Sequence, residues 1–240
     1  EYEGILLYRR EIRWIGDAEG ERSEARRGDF FSLFSDRKRF SKYMRCILIG
    51  LPTWYLVGIL MTLAPEISKA LGVTGEITGG QSIFWFYFGL TIGNMASGLI
   101  SQVLRSRKQV LLLFLSATCV MVGVYFLQRD TTSTVFYAIC SLLGIANGYW
   151  ALFVTVAAEQ FGTNLRSTVA TTVPNFVRGA LVPIALSFQW LKDSFAPSFG
   201  ADRGIIYAGV LLGAVTLAIS IWALNGLEDT FHKDLDYIET

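Results

Sequence analysis

Charged residues are scarce in this chain of 240 residues and are absent from long parts of it. An apolar helix needs about 20 residues to cross a hydrocarbon layer about 30 Å thick, which is longer than a soluble core usually requires. The uncharged stretches reach this length, so we expect a membrane protein and not a soluble globular domain. They cover 46–65, 77–104, 109–128, 131–158 and 204–227.

A sixth stretch of spanning length contains a single charged residue, Arg178. None of the stretches shows the period-2 alternation of a transmembrane β-strand, which leaves helices as the way to satisfy the backbone in lipid. The sequence therefore predicts an all-α membrane protein whose even number of helices places both ends on one side. The predicted transmembrane helices are 46–64, 83–101, 109–127, 134–157, 170–191 and 205–224.

Residues that carry catalysis are also missing from the predicted helices. The chain has one histidine, His232 in the tail, and no Asp or Glu lies within a predicted helix. The three cysteines have no metal or disulfide spacing, and we interpret them as free thiols. An intramembrane enzyme needs a nucleophile with a base, or a metal cluster. We therefore expect neither an enzyme nor a metal or other cofactor.

Basic residues are concentrated on one side of the predicted helices. Outside the helices, most Lys and Arg residues lie in 1–45, 105–108, 159–166 and the tail 227–240. The positive-inside rule makes this side cytoplasmic. We expect a multi-pass protein of the plasma membrane, the inner membrane in a bacterium, with both termini cytoplasmic. Because the bases are spread over separate loops, nucleic acid is not an expected partner.

The chain divides into a predicted linker (1–45), a six-helix bundle (46–226) and a tail (227–240). The linker is predicted to end in an interfacial helix capped by Asp29, with an apolar face and a basic cluster that meets lipid head groups. A solvated charged loop is the alternative. Because the chain begins without Met or a signal-peptide pattern, we expect it to be part of a longer protein. The apolar face is Phe30, Leu33 and Phe34, and the cluster is Arg37, Lys38 and Arg39.

Polar and aromatic side chains occur mainly on four of the predicted helices. The third and sixth helices are the most uniformly aliphatic, which favours a lipid-facing position for them. A solute pathway is predicted along the other four. Arg178 costs at least about 2.5 kcal/mol in a span unless it finds water, a carboxylate or carbonyl groups, so it should face protein, either as an anion-binding or gating residue or as a packing residue. The candidates are Thr53, Trp54, Tyr55, Asn94, Asn147, Tyr149, Trp150, Asn175, Arg178 and Gln189.

Three segments at the predicted cytoplasmic ends resemble the major facilitator superfamily, in particular its sugar-porter and metabolite-transporter branches. The segment 98–108 resembles the short basic loop of the family, although Gln102 stands where the pattern has Asp and Arg105 where it has Gly. Glu159, followed seven residues later by Arg166, is similar to the sugar-porter signature. The acidic tail from Leu227 is similar to the segment that follows the twelfth helix.

This resemblance implies that the six helices are the carboxyl-terminal bundle of a twelve-helix fold, with a missing amino-terminal six-helix half as partner. It also implies a cytoplasmic gate in which Arg105 and Arg107 pair with Glu159. Opposite charges at a helix edge can hold one conformational state and release it in another. The gate residues implied are Gly98, Arg105, Arg107, Lys108, Glu159 and Arg166.

The predicted function is transport of a small organic solute across the lipid bilayer by alternating access. The aromatic and amide residues suit a sugar or another polar metabolite, whereas Arg178 suits an organic anion. Because no acid lies within the predicted helices, a proton symporter would take its titrating group from the other half. A channel or a non-transporting membrane adaptor is the alternative class.

Overall fold

The computed structural model describes residues 29–233 and 237–238. All of the helices and turns of this part form one helical bundle, and six of its helices are long and apolar enough to cross a membrane. The chain is therefore a multi-pass membrane protein. The helices are α1 (Ser32–Ser35), α2 (Arg37–Met61), α3 (Ala64–Ala70), α4 (Gly79–Leu104), α5 (Arg107–Leu127), α6 (Ser133–Glu159), α7 (Arg166–Phe199) and α8 (Ala201–Asn225).

The six long helices, α2 and α4 to α8, lie over the six predicted spans but extend beyond most of their predicted ends. Polar caps explain several of the earlier starts. Asp36, Thr78 and Ser106 precede α2, α4 and α5, and each side chain accepts a hydrogen bond from the backbone amide three residues later, at 3.0 to 3.2 Å. Such caps satisfy amide groups that have no partner within the helix, so the helices begin among polar residues that the apolar pattern leaves out.

The predicted linker differs most from the structure. Its first part, 1–28, lies outside the described residues, as do 234–236 and 239–240 of the predicted tail. The interfacial helix is only the single turn α1, because Asp36 ends it and caps α2. Arg37 therefore begins the first spanning helix, ahead of the predicted start at residue 46. The Asp29 carboxylate does accept a hydrogen bond from the Phe31 amide, at 3.1 Å.

Helices α4 and α6 cross at very short distance, because small residues face each other where they meet. A Cβ atom added to Gly93 would lie 2.8 Å from the Cα atom of Gly148, and one added to Gly89 would overlap the Ser141 carbonyl. In lipid, where apolar surface gives no preference for helix association, such close backbone contact is a main source of packing energy. This crossing therefore holds the middle of the bundle together.

Helix α8 is a central element of the bundle on one side and is exposed on the other, where Leu211, Val215 and Trp222 lie. The lipid-facing position therefore stays a prediction for the exposed side. The helix packs against α2, α5 and α7, and 56% of the residues in its most apolar segment are buried. The corresponding values are only 28% for α4 and 22% for α7. Lipid and a neighbouring helix are equally apolar surroundings, so an aliphatic sequence does not distinguish them.

The charged loops come together at one end of the bundle, which we call the basic end. It comprises the start of α2, the α4–α5 loop, the α6–α7 loop and the residues after Asn225. The opposite end holds α3. There the Thr74 amide donates a hydrogen bond of 2.8 Å to the Thr131 carbonyl. The two ends carry the two groups of loops that the sequence predicted to be separated by the membrane.

Candidate functional site

Three spanning helices are irregular at the same level of the bundle. Helix α2 is interrupted at Gly50, ahead of Pro52, and α6 between Ala146 and Trp150. Helix α7 deviates less at Ala180, whose amide still donates to the carbonyl four residues earlier, at 2.9 Å. The irregular positions of α2 and α7 keep helical backbone angles, whereas the α6 segment leaves the helical region. Non-helical backbone at membrane depth is tolerated only where it is packed in protein or lines a cavity, so the level of the α6 segment is a candidate site.

Hydrogen bonds from neighbouring helices compensate for the interruption of α2. Pro52 has no N–H group, so the carbonyl four residues earlier loses its helical partner. That carbonyl, on Leu48, accepts a hydrogen bond of 2.7 Å from the Ser220 hydroxyl. The next carbonyl, on Ile49, accepts one of 3.1 Å from the Tyr149 hydroxyl. Tyr149 and Ser220 therefore stabilise the broken helix.

The interruption of α6 is satisfied in the same way. The Thr118 hydroxyl donates to the Ala146 carbonyl at 3.0 Å. The Ala151 amide, at the start of the second half of α6, donates to the Asn94 side-chain oxygen at 3.1 Å. In both helices the exposed backbone groups find partners on other helices, which keeps the irregular segments within the bundle.

Four of the predicted pathway residues are buried inside the bundle. The Asn147 amide donates to the Thr53 hydroxyl at 3.1 Å, and the Tyr55 hydroxyl donates to the Gly209 carbonyl at 2.6 Å. Tyr149 is the fourth, and its hydroxyl is engaged with α2. The structure therefore gives these four side chains bracing contacts between helices, and none of them lies on an exposed face.

Another group of the predicted residues forms a partly exposed cluster at the same level. The rings of Trp54 and Trp150 meet edge to face, with centroids 6.5 Å apart. The Arg178 guanidinium lies over the Trp54 ring, 5.5 Å from its centroid, and donates to the Asn175 side-chain oxygen at 3.0 Å. We call Trp54, Trp150, Asn175 and Arg178 the aromatic cluster.

The aromatic cluster has unused binding capacity. Arg178 is exposed and makes no ion pair with any carboxylate of the described residues. The indole nitrogen of Trp54 is buried and, within the described part of the chain, has no hydrogen-bond partner. Ring faces bind apolar C–H surface, while indole N–H and guanidinium groups donate hydrogen bonds to oxygen. The cluster can therefore hold a polar organic molecule or a carboxylate.

Gln189 lies apart from this cluster, and its position corrects one expectation. Its side-chain amide bonds both carboxylate oxygens of Asp193, at 2.9 Å each. Helix α7 continues to Phe199, beyond the predicted end at 191. An acid, Asp193, therefore does lie within a long helix, although near the end opposite the basic end.

At the basic end, the Arg107–Glu159 ion pair that the family resemblance implied is present in the structure. The Glu159 side chain is largely buried, and its second oxygen accepts a hydrogen bond of 2.6 Å from the Thr230 hydroxyl. The ion pair joins the start of α5 to the end of α6, and Thr230 joins both to the tail. A pair that is partly removed from water interacts more strongly than an exposed one.

The tail after α8 makes further contacts with the same loop. The Asp229 carboxylate accepts hydrogen bonds from the Ser106 hydroxyl and, at 3.1 Å, from the Arg107 amide. The Lys108 ammonium donates to the Leu227 carbonyl at 2.7 Å. Partial burial raises the pKa of Asp229, but the hydrogen bonds from Ser106 and from backbone amides outweigh this effect and lower the pKa.

The remaining gate candidates are Arg105, Gly98 and Arg166. Arg105 ends α4 in a left-handed conformation (φ 49°), is exposed, and forms no ion pair with Glu159 in the described part of the chain. Gly98 is exposed, and a Cβ atom there would meet no atom within 4 Å. Arg166 and Glu159 line one pocket of about 540 Å³. Of the two bases implied as partners of Glu159, the structure thus pairs only Arg107.

Sequence reasoning missed Ser106, Ser220, Asp229 and Thr230. Ser106 had a local signal, since Ser followed three residues later by Gln is a capping pattern. Asp229 and Thr230 lie in the acidic tail that the family resemblance indicated, although neither was given a role. Ser220 had no signal, because its partner lies far away in the chain. Comparison of the chain with models of known protein families, with curated proteins and with solved structures gave no match.

Proposed function

We propose that this chain is one half of a membrane transporter that moves a small polar organic solute by alternating access. In this proposal the aromatic cluster supplies one wall of the solute site. A second six-helix unit covers the exposed faces of α4 and α7 and supplies the other wall. The basic end faces the cytoplasm, as the positive-inside rule requires.

The observation that carries this proposal is the position of the aromatic cluster beside the break in α6, where α2 and α7 are also irregular. Secondary transporters commonly build their sites near the bilayer midplane from discontinuous helices. Arg178 would be costly in a span without water, an anion or a protein partner. Because the described residues give it no carboxylate, a solute or the second unit is the natural partner.

The basic end supplies the gate in this proposal. The Arg107–Glu159 pair links α5 to α6, and Thr230 adds the tail to the pair. A contact of this kind can hold one state of a rocking bundle and be lost in the other. Glu159 belongs to the gate, and Asp193 lies near the opposite end of α7. The proposal therefore assigns the proton-coupling group of a symporter to the second unit.

Solute counterflow in vesicles that contain the full-length protein tests the proposal. A series of neutral sugars and small carboxylates is offered, and saturable exchange is expected for one class. We expect Trp54→Ala to raise KM about tenfold or more, because a stacking wall of the site is lost. Arg178→Gln should abolish exchange of a carboxylate while leaving a sugar largely unaffected.

Two control variants remove the same chemistry elsewhere. Trp190→Ala and Arg203→Gln alter exposed residues outside the aromatic cluster, and both should exchange solute as the wild type does. Linear flux would indicate a channel, and absence of flux with every solute would indicate an adaptor. Either result, or normal exchange by Trp54→Ala, would contradict the proposal.

A further inference from the structure

A second pocket at the basic end has not been assigned a role. It has a volume of about 560 Å³ and lies between the start of α2, the end of α6 and the tail. Its lining includes four bases, Arg37, Lys38, Lys42 and Arg45. This concentration of positive charge lies apart from the Arg107–Glu159 pair and from the aromatic cluster.

The two acids that line the pocket are already engaged. Asp36 caps α2 by accepting a hydrogen bond of 3.0 Å from a backbone amide. Glu228 forms an ion pair of 2.8 Å with Lys233, which lowers the pKa of Glu228. Neither acid pairs with Arg37 or Lys38 in the described part of the chain, so the pocket keeps an excess of positive charge.

Arg45 forms the inner wall of this pocket and is held in place by its surroundings. Its guanidinium donates to the Gly226 carbonyl at 2.6 Å and lies 5.5 Å from the centre of the Trp222 ring. A Cβ atom at Gly226 would overlap the guanidinium, so a larger residue there would displace the Arg45 side chain from this position. The Nε atom of Arg45 is buried and lacks a hydrogen-bond partner among the described residues.

Exposed aromatic side chains lie next to the pocket in the chain. Phe31, Phe34 and Phe40 are 78%, 46% and 38% exposed. Aromatic rings beside a basic cluster are typical of the membrane interface, where the rings enter the lipid and the bases meet head groups. This pattern favours a position of the pocket at the depth at which lipid phosphate groups are found.

We propose that this pocket binds a phosphate group, in particular that of an anionic phospholipid headgroup. Arg and Lys side chains recognise phosphate by charge-assisted hydrogen bonds. Basic pockets between membrane helices on the cytoplasmic side are suited to anionic headgroups. A headgroup bound here contacts the first helix and the tail together, which links the lipid to the end of the bundle that carries the gate.

Native mass spectrometry of the full-length protein in detergent tests this inference. Phosphatidylglycerol is added in one sample and zwitterionic phosphatidylcholine in another, and the retained lipid is counted. We expect one phosphatidylglycerol to be retained in preference to phosphatidylcholine. Arg37→Gln and Lys38→Gln should each weaken this retention about fivefold, and the double variant more.

Arg105→Gln is the matched control, since it removes one exposed base from the same end but outside the pocket. Its retention of phosphatidylglycerol should equal that of the wild type. Inorganic phosphate is then added at rising concentration. Displacement of the lipid supports a site for the phosphate group alone, and lack of displacement supports a site that needs the whole headgroup. Unchanged retention by the double variant, or equal loss in Arg105→Gln, would overturn the inference.

Discussion

The basic end and the aromatic cluster differ in where their polar groups find partners. At the basic end, Glu159 is bonded to both Arg107 and Thr230, and Asp229 accepts several hydrogen bonds. In the aromatic cluster, Arg178 has one side-chain amide and one ring face. This chain alone therefore provides partners for the buried and partly buried acids of the basic end, whereas the cluster has capacity left for a molecule or a protein surface that covers it.

The difference follows from the surroundings of the two regions. Partly buried charges near the membrane surface are costly unless each is paired and hydrogen-bonded. At the basic end, Glu159 and Asp229 meet this need through partners at the α4–α5 loop and in the tail. Arg178 lies on the exposed side of α7, the least buried of the long helices, so the described bundle leaves its outer side open to a further partner.

The largest expected effect breaks both regions at once, through the helix crossing that supports them. Gly93→Leu places a side chain where the backbone of α6 lies. Since neither backbone can move without separating α4 from α6, we expect a loss of about 3 kcal/mol or more in the free energy of unfolding. Thermal unfolding in detergent, followed by gel filtration, measures this loss.

Gly98→Leu on the same helix is the control for this substitution. The Cβ position of Gly98 is open, so the variant should unfold at nearly the wild-type temperature. Equal destabilisation by the two variants would show that helix propensity, and not the crossing, determines the effect.

A smaller effect is expected from opening the basic end alone. Glu159→Gln removes the charge that faces Arg107 but keeps a side chain of the same shape. We expect a loss of about 1 to 3 kcal/mol, between the values for exposed and buried ion pairs. The unfolding temperature in detergent measures this loss. Below that temperature, the proposed solute binding at the aromatic cluster should persist.

Glu228→Gln serves as the comparison, because it removes the acid of the exposed Lys233–Glu228 pair at the same end. An exposed pair contributes only about 0.2 to 1 kcal/mol. If Glu159→Gln lowered the unfolding temperature no more than Glu228→Gln does, the partly buried Arg107–Glu159 pair would not stabilise the basic end more than an exposed pair.

Much of the fold could be predicted because the length of an uncharged segment is a direct physical requirement of the bilayer. The positions of all six spanning helices followed from it. The start of α2 did not, since Asp36 caps the helix within a run of charges. The extent to which the last helix packs against protein could not be predicted, because burial against protein and burial in lipid have the same sequence signal.

The candidate site could be predicted only in part, for a related reason. Polar and aromatic residues in a span indicate function or packing, and the sequence does not separate the two. Trp54 and Arg178 meet in a partly exposed cluster, whereas Thr53 and Asn147 bond each other in the interior. Thr53 and Trp54 are neighbours on α2, so only the orientation of the helix within the bundle decides which of them is buried and which lies in the cluster.

The smallest expected effect concerns acid, and it sharpens the contrast between the two regions. The lowered pKa of Asp229 means that its contacts stabilise the folded chain at neutral pH and are lost as the pH falls through that lowered pKa. Between pH 7 and about pH 3, the range in which carboxylates titrate, the wild type should lose more unfolding temperature than Asp229→Asn. The cluster has no carboxylate among the described residues, so Arg178→Gln should follow the wild-type pH curve. Parallel curves for wild type and Asp229→Asn would mean that the tail is not held by the ionised carboxylate.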